Sequence, residues 1–346
     1  MSLPPISLGR PTEPSRISRR EILKTAALAA GALTMTTIGA GPSAADERAE
    51  SKQRRTSKAT ADAKLADPKT GAIDAHVHVW TPDTGRYPLA AGFRRDQMLP
   101  PSFTPEELFD HARPCGVARI VLIQMSFYGF DNAYMIDAMR RFAGVFSGVA
   151  VIDDGVEAPQ AEMRRLALLG VRGFRIYPRN KPVDRWLDAP GMQAMWKCGG
   201  EDGLAMCHLV NPDALAAIGR MGEKFPDTPI VIDHFARIGV SGEIREADLA
   251  QLCALAKNPQ AHVKISAFYA LGKKQAPYLD LVPMIRRLLD AYGPERLMWA
   301  TDCPFQVQEG HNYADSIALV RDRLDFLSDG DRDWLLRKTA EKVFFT

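Results

Sequence analysis

The sequence predicts a single (β/α)8 barrel, the TIM-barrel fold, which follows an N-terminal signal peptide and a linker. Eight short runs rich in Val, Ile and aromatic residues recur along the chain, and their first residues lie 25 to 47 positions apart. Segments with apolar residues three and four apart, the pattern of amphipathic helices, separate these runs. Because one βα unit takes about 30 residues, the spacing indicates eight units that close into a barrel.

The predicted strands are bounded by polar, Pro or Gly residues and cover 72–80, 119–126, 146–153, 171–178, 204–210, 229–236, 261–269 and 297–304. Helices are predicted to begin at Thr104 and to cover 132–142, 159–169, 212–225, 247–256, 278–292 and 315–326. The first helix has an N-cap at Thr104, Pro105 at its first position and acidic residues in its first turn. A doubly wound sheet is the alternative, but no Gly-x-Gly-x-x-Gly follows the first strand.

Composition and charge exclude several classes of protein. The 346 residues are 46% hydrophobic and 25% charged, which is ordinary for a globular domain and excludes collagen, coiled coil and wholesale disorder. Forty-four basic residues against 42 acidic residues give a formal net charge of +2, so no electrostatic surface for nucleic acid is expected. Five cysteines without a Cys-x-x-Cys motif indicate neither a disulfide scaffold nor a zinc ribbon.

The first 45 residues have the pattern of a cleavable export signal. Arg19 and Arg20 precede a mildly apolar stretch at 25–41, and small residues at 43–45 follow it. The arginine pair resembles a twin-arginine signal, so the twin-arginine export machinery is the expected partner and the periplasm or exterior the expected location. No stable membrane insertion is expected after cleavage. A short N-terminal helix is the alternative.

Residues 46–71 are predicted to form a flexible linker, because Leu65 is their only large apolar residue. Removing residues 1–45 also removes five basic and two acidic residues, which changes the formal net charge from +2 to −1. The barrel domain is predicted to cover residues 72–346, and the chain from residue 46 onward carries almost no net charge.

Polar side chains collect at the ends of the predicted strands, where barrel enzymes place their active sites. His76 and His78 lie two apart on the first strand and so point to the same face. His208, His234 and Asp302 end the fifth, sixth and eighth runs. Taken singly, each could be a satisfied polar group of the core. Together they predict a site at the carboxyl ends of the strands, and two such histidines can share a metal.

Further side chains near these strand ends predict that the substrate is a small anion. Guanidinium groups match carboxylates in geometry, and the candidates are Arg175, Arg179 and Arg237. Hydroxyl groups that could add hydrogen bonds belong to Ser126, Tyr128 and Tyr177. The alternative for Arg175 and Arg237 is a framework role in salt bridges. Lys264 on the seventh run could also point inward.

Three segments resemble the amidohydrolase superfamily, in its amidohydrolase-related branch: Asp74–His78, Val231–His234 and Trp299–Pro304. The run Leu-Ile-Gln-Met-Ser at 122–126, Asp-Asn-Ala-Tyr at 131–134 and Gly-Val-Arg-Gly-Phe-Arg at 170–175 are similar to the lactone hydrolases of that branch. That group includes the pyrone-dicarboxylate lactonases and the sulfomuconolactone hydrolases. The resemblance covers about residues 72–346.

The resemblance implies a hydrolase that opens a small carboxylate-bearing lactone by attack of activated water. The metal pattern of the family, transferred to this chain, uses the histidines and the aspartate at the strand ends to hold one divalent metal, zinc: His76, His78, His208, His234 and Asp302. Asp302 would act as general base, and His234 would assist at the carbonyl. Binuclear members carry a lysine where this chain has Arg175, so at most one metal is expected. Some relatives work without metal, and this alternative stays open.

Two other functions stay open from the sequence. The same branch contains metal-dependent decarboxylases of small aromatic or unsaturated acids, which use a similar ligand set. An exported binding protein that holds a metal or ligand without turnover is the alternative outside catalysis. Release of CO2, metal content and the effect of replacing Asp302 would separate the three.

Overall fold

A computed structural model describes residues 66–67, 69–178 and 186–346. The predicted signal peptide at 1–45, most of the predicted linker and the predicted substrate-binding residue Arg179 lie outside the described residues. Among the helices of the described part, none is long and apolar enough to span a bilayer.

Eight parallel strands form one sheet in which each strand pairs with the next along the chain. They are β1 (Ala72–Val77), β2 (Val117–Ile123), β3 (Phe146–Ala150), β4 (Val171–Ile176), β5 (Ala205–His208), β6 (Ile230–Ile232), β7 (Ala261–Ile265) and β8 (Leu297–Trp299). Each lies within or overlaps one predicted run. With helices following the strands, the architecture fits a (β/α)8 barrel, so the barrel that the sequence predicts is confirmed.

The barrel closes through β1 and the residues that follow β8. Val77 forms an isolated parallel bridge with Cys303. The amide of Asp302 donates to the His76 carbonyl at 2.9 Å, and the amide of His78 donates to the Cys303 carbonyl at 2.8 Å. The closing hydrogen bonds therefore involve the same residues that the sequence identifies as chemically important.

The helices pack around the strands and leave a large apolar core between the two layers. They are α1 (Pro105–Ala112), α2 (Ala133–Arg141), α3 (Pro159–Ala167), α4 (Pro190–Asp202), α5 (Leu215–Lys224), α6 (Glu246–Ala254), α7 (Val282–Tyr292), α8 (Tyr313–Ala318), α9 (Asp329–Asp333) and α10 (Thr339–Phe344). At the start of α1, the Thr104 hydroxyl accepts from the Glu107 amide at 3.3 Å, so the predicted N-cap is confirmed.

Helix α4 was not predicted, because its sequence contains three glycines and begins with proline. Tight packing explains one of these glycines. A Cβ at Gly199 would lie 2.8 Å from the Leu204 carbonyl oxygen and 3.0 Å from the Thr228 methyl. Tertiary packing of Met192, Met195 and Trp196, all buried, therefore stabilises a helix that local propensity disfavours.

A second, smaller apolar cluster fills the barrel interior and includes side chains from β1, β2, β3, β5, β6 and β8. Helix α10 contributes Val343 and Phe344 to this cluster. Helices α9 and α10 follow the last predicted helix and were not predicted. Because α10 packs into the interior cluster, its apolar residues are part of the barrel core.

Strand β1 contains a β-bulge that decides where its polar residues point. Asp74 pairs with Ile120 and Val77 with Leu122, so β1 has one more residue than β2 in the same interval. The Asp74 carboxylate accepts from the Tyr313 hydroxyl of α8 at 2.7 Å and from the Thr301 amide at 2.9 Å. Asp74 therefore braces β1 against α8 and the end of β8, although it lies two residues before His76.

Candidate active site

Three buried side chains meet at the carboxyl end of the barrel. His76, His234 and Asp302 each offer one nitrogen or oxygen atom, and these atoms all lie within 4.8 Å of one another. The Asp302 carboxylate is the centre of this group: its Oδ1 lies 3.5 Å from His76 Nε2 and 3.8 Å from His234 Nε2. The structure thus brings together His76, which lies in the first strand, and Asp302, which follows the last strand and lies 226 positions later in the sequence.

His78 also contacts Asp302, from the second position of the His-x-His pair. Its Nε2 lies 3.3 Å from Asp302 Oδ1, and its Nδ1 lies 2.8 Å from the Ile123 carbonyl oxygen. The contact with that carbonyl fixes the plane of the ring and turns Nε2 toward Asp302. The ring orientation of His78 is therefore determined by strand β2.

His234 reaches the site through an unusual turn after β6. His234, Phe235, Ala236 and Arg237 all have positive φ, between 52° and 61°. Left-handed conformations cost L-residues roughly 1–2 kcal/mol each, so four in succession store strain. The turn directs His234 into the site directly after Asp233, and the His234 Nδ1 lies 2.8 Å from the Ser266 hydroxyl. Burial lowers the pKa of His234, which favours the neutral imidazole.

Asp302 is held as a carboxylate by its neighbours. The Tyr269 hydroxyl donates to Asp302 Oδ2 at 2.7 Å. Burial by itself raises the pKa of Asp302, but the imidazoles of His234 and His78 outweigh burial and hold the pKa below its ordinary value. Burial and the adjacent carboxylate raise the pKa of Tyr269 well above its ordinary value, so this phenol remains a donor.

Arg175 is the predicted anion-binding residue that the structure places beside this group. It lies on β4 and is partly buried, and its Nη1 is 3.5 Å from His78 Nε2. Its Nε is buried and has no hydrogen-bond partner among the described residues. Arg175 and Tyr177 line a small cavity with Trp186 and Met192. A free guanidinium edge beside the histidines is suited to bind an anionic group of a substrate.

His208 is not part of the group formed by His76, His234 and Asp302. Ala205 and Cys207 belong to the interior cluster, so strand alternation turns His208 toward the helix layer, where its ring centre is 5.4 Å from that of Trp196. Burial lowers the pKa of His208 to about 3. Neither ring nitrogen has a hydrogen-bond partner among the described residues.

The remaining predicted residues lie farther along the mouth of the barrel. Arg237 donates from Nη1 to the Asn211 side chain at 3.2 Å and lines a surface groove. The Tyr128 hydroxyl accepts from the Thr81 amide at 3.3 Å, and Ser126, in the same turn, is exposed. None of the contacts described for these residues involves the three-residue group.

Sequence reasoning missed three polar residues that surround the group. Ser266 and Tyr269 follow β7, and Asp233 follows β6. Lys264, which the sequence suggests could point inward, lies within β7, and its Nζ is 3.1 Å from Asp233 Oδ1. Tyr269 comes four residues after β7, so a search for hydroxyl side chains after every strand could have identified it.

The residues of the group fit a single divalent metal ion. Two imidazoles and one carboxylate form a three-ligand set that leaves a position open, as catalytic zinc sites do. The His76 Nε2 is buried and has no hydrogen-bond partner among the described residues. The set can therefore hold one divalent ion.

The two cysteines nearest the site in sequence are poorly suited to react as thiolates. Cys207 and Cys303 are both buried and unpaired. Burial raises the pKa of Cys207 to about 12 and the pKa of Cys303 well above its ordinary value. Since the thiolate is the reactive form, both residues act as small packed side chains.

Comparisons with known proteins agree with the resemblance seen in the sequence. The chain is 29% identical over 282 residues to a 4-sulfomuconolactone hydrolase from Hydrogenophaga intermedia, covering 79% of this chain and 88% of that protein. It is 29% identical over 252 residues to an L-fucono-1,5-lactonase from Burkholderia ambifaria, covering 70% and 83%.

A crystal structure of an amidohydrolase from Burkholderia multivorans with bound zinc has the same fold, with a TM-score of 0.66 and 20% identity over 79% of this chain and 99% of that chain. The family profile described as amidohydrolase matches residues 73–346, which is the whole barrel from β1 to the end of the chain. The chain therefore belongs to the amidohydrolase family and is a hydrolase of that type.

Proposed function

We propose that this protein hydrolyses a small lactone that carries a carboxylate group. The observation that carries the proposal is the Asp302 carboxylate, which lies among His76, His78 and His234 with the Arg175 guanidinium beside them. The similarity to a sulfomuconolactone hydrolase and a fuconolactonase supports the reaction class, because both proteins act on cyclic esters.

Asp302 is suited to take the proton from the attacking water. It is ionised, it is buried, and Tyr269 fixes one of its oxygens so that the other faces the histidines. After ring opening, the same carboxyl group can return the proton to the leaving alkoxide. General acid–base transfer of this kind contributes about 10²–10⁴-fold to the rate. In the metal-free alternative, His234 can donate a hydrogen bond to the oxygen of the lactone carbonyl.

We propose that one divalent ion, zinc, is held by His76, His234 and Asp302. When bound, such an ion supplies Lewis acidity and a lower pKa for its water. Hydrolysis without metal stays open, and in both cases Asp302 handles the proton. Two other predicted ligands lie outside this set. His78 lies against Asp302 and Arg175, where it can orient both, and His208 lies against Trp196.

Arg175 is proposed to bind the carboxylate of the substrate. A guanidinium pairs with a carboxylate through two parallel hydrogen bonds, and the unpartnered Nε gives Arg175 a free edge. This contact would place the lactone carbonyl next to His78 and Asp302. Tyr177 and Arg237 remain proposed contacts of the rest of the substrate, as do Ser126, Tyr128 and Arg179.

The direct test is a panel of lactones assayed by acid release with the purified full chain. We expect turnover of a pyrone dicarboxylate, a muconolactone or a sugar-acid lactone, and a loss of at least about 100-fold in Asp302→Asn. Asp329→Asn, which removes an exposed carboxylate at the start of α9, is the matched control and should leave the rate unchanged.

If no lactone is hydrolysed and hydroxybenzoate-type acids release CO2 instead, the proposed reaction is wrong and the decarboxylase alternative replaces it. If neither reaction occurs and a metal is retained, the protein binds without turnover. These outcomes are measured on the same preparation, so they distinguish the three functions.

We also propose that residues 1–45 direct export through the twin-arginine machinery. The arrangement of Arg19 and Arg20 before an apolar stretch and small residues supports this proposal. Fractionation of cells that express the full chain should find the protein in the periplasm. The variant Arg19→Lys/Arg20→Lys should remain in the cytoplasm, and equal export of both forms would contradict the proposal.

A further inference from the structure

A small cavity lies between the carboxyl ends of β3 and β4 and the first turns of α4. Its volume is about 10 Å³, which is room for about one water-sized group. Val151, Ile152, Met192 and Met195 form much of its wall, and Arg175 belongs both to this cavity and to the candidate active site. The cavity therefore adjoins the active site through Arg175.

Two residues that line this cavity carry a buried N–H group without an acceptor. Trp186 is 1% exposed, and its indole Nε1 is buried with no hydrogen-bond partner among the described residues. The same holds for Nε of Arg175, although Nη1 of that guanidinium reaches His78. Because a buried donor without an acceptor is destabilising, two of them at one cavity indicate an acceptor that the protein takes up in use.

The two donors determine the chemistry of the group that can enter. A guanidinium and an indole N–H only donate, so the cavity accommodates an acceptor oxygen and disfavours an ammonium group. Asp154, the acidic residue of the described lining, is engaged in an interaction of its own. With room for about one water-sized group, the cavity can take one oxygen of an acid group, while the rest of that group stays at the Arg175 guanidinium.

The chain on both sides of Trp186 holds the indole in place. In the turn before α4, the Ala189 amide donates to the Trp186 carbonyl at 3.3 Å. At the start of α4, the backbone of Gly191 packs directly on the Asp154 carbonyl, since a Cβ at position 191 would overlap that oxygen. The donor is therefore in position before a ligand binds, which lowers the entropic cost of binding.

We infer that Trp186 is a binding residue of the substrate site: its indole N–H and Nε of Arg175 together receive one oxygen of the substrate's acid group. This role rests on the proposed function for the statement that the acid belongs to a lactone. It adds to Arg175 a second donor that lies outside the barrel strands. Because charged acceptors form stronger hydrogen bonds than neutral ones, a lactone that carries a carboxylate gains more from Trp186 than a neutral lactone does.

Nuclear magnetic resonance of the five indole N–H groups tests this role without any need for turnover. The probe is benzene-1,3-dicarboxylate, an acid without an ester bond, added to the full chain labelled with ¹⁵N-tryptophan. The Trp186 proton signal should move downfield as the N–H gains a charged acceptor. Benzene-1,3-dicarboxamide, the neutral compound of the same shape, controls for the effect of the ring and should produce a smaller shift. Failure of the acid to bind, or binding without a downfield shift of the Trp186 signal, would overturn the inference.

The variant Trp186→Phe provides the assignment and a second measurement. It removes the N–H and keeps most of the apolar volume, so affinity for benzene-1,3-dicarboxylate, measured by calorimetry, should fall about tenfold or more. Trp196→Phe is the matched control, because its Nε1 is also buried without a partner among the described residues, but Trp196 is not part of the described cavity lining. If Trp186→Phe does not fold, the Trp186 signal is the one left after the other four tryptophans are replaced in turn. Equal affinity in Trp186→Phe and the unmodified chain would contradict the inference.

These outcomes separate the role of Trp186 from the proposed function. If the acid shifts the Trp186 signal and no lactone is hydrolysed, the proposed function is wrong and the acid subsite is confirmed. If lactones are hydrolysed, but neither the Trp186 signal nor the KM of Trp186→Phe for a carboxylate-bearing lactone changes, the reaction is confirmed and Trp186 is not a binding residue.

Discussion

The hydroxyl of Tyr269 donates a hydrogen bond of 2.7 Å to Oδ2 of Asp302, which leaves Oδ1 of the same carboxylate facing His76, His78 and His234. The two residues come from the loops after β7 and β8. A rotation of the Asp302 side chain would break this bond, so Tyr269 restricts the carboxylate to the orientation that faces the histidines.

Replacing Tyr269 by Phe is expected to lower kcat about 10- to 100-fold, because a hydrogen bond to a charged group contributes about 1.5–3 kcal/mol. Loss of the donor also destabilises the carboxylate, so the acid limb of the pH–rate profile should move to higher pH. Tyr278→Phe is the matched control, since the Tyr278 hydroxyl contacts His311 and Gln306 instead. Identical pH profiles for the unmodified chain and Tyr269→Phe would show that Tyr269 does not act on Asp302.

Replacing Arg175 by Met should raise KM for an anionic lactone about 10- to 100-fold, because one charge-assisted contact of about 1.5–3 kcal/mol is lost. Arg175→Lys should recover only part of the loss, since an ammonium lacks the planar fork. A neutral lactone of similar size is the control substrate, and its KM should not change. An equal loss for neutral and anionic lactones would mean that Arg175 supports the fold of the site and does not bind the anion.

Replacing His208 by Leu should reduce the sensitivity of the protein to acid. Burial lowers the pKa of His208 to about 3 in the folded protein, below the ordinary value of 6.5, so between these pH values the unfolded chain binds a proton at His208 and the folded protein does not. The contribution of neutral His208 to the free energy of unfolding is therefore fully present above pH 6.5 and is lost as the pH falls toward 3. At pH 5 the loss is about 2 kcal/mol. Urea unfolding at pH 7.5 and 5 should show a smaller difference for the variant.

The same variant tests whether His208 is a metal ligand. Since its ring lies against Trp196 and outside the group of His76, His234 and Asp302, His208→Leu should leave Zn²⁺ affinity unchanged. A loss of tenfold or more would restore His208 to the ligand set that the family resemblance implies. His234→Gln is the positive control and should lose affinity.

Two glycine-to-alanine substitutions in helices should have opposite effects on the free energy of unfolding. In α4, a Cβ at Gly199 would meet the Leu204 carbonyl oxygen at 2.8 Å, so Gly199→Ala should destabilise by about 1–3 kcal/mol. In α5, the nearest atom to a Cβ at Gly219 is 3.8 Å away, so Gly219→Ala should stabilise by about 0.5–1 kcal/mol. Thermal and urea unfolding measure both, and equal signs would contradict the packing described for α4.

Several features of the fold could be predicted because they depend on local sequence. The runs that became β1 to β8 are short, apolar and separated by amphipathic helical patterns, and the N-cap of α1 is a local hydrogen bond. Helix α4 could not be predicted, since its glycines serve contacts with Leu204 and Thr228 that are visible only in the folded chain.

The candidate site was predictable only in part. The sequence identified His76, His78, His234 and Asp302 as polar residues at strand ends, and the structure brings them together. The sequence did not indicate that the Tyr269 hydroxyl would donate a hydrogen bond to Asp302. Strand alternation applied to the sequence also groups Asp74 with His76, but the bulge in β1 sends Asp74 to Tyr313 and His76 to the site.

The sequence by itself determined the barrel and the strand ends from which the chemistry comes, because hydrophobic periodicity and residue type act over a few positions. Only the tertiary structure decided which side chains face one another. His234 enters the site through four consecutive left-handed residues, while His208, at the corresponding end of β5, turns toward Trp196. Strain of that kind is maintained by contacts between distant strands, so no local pattern encodes it.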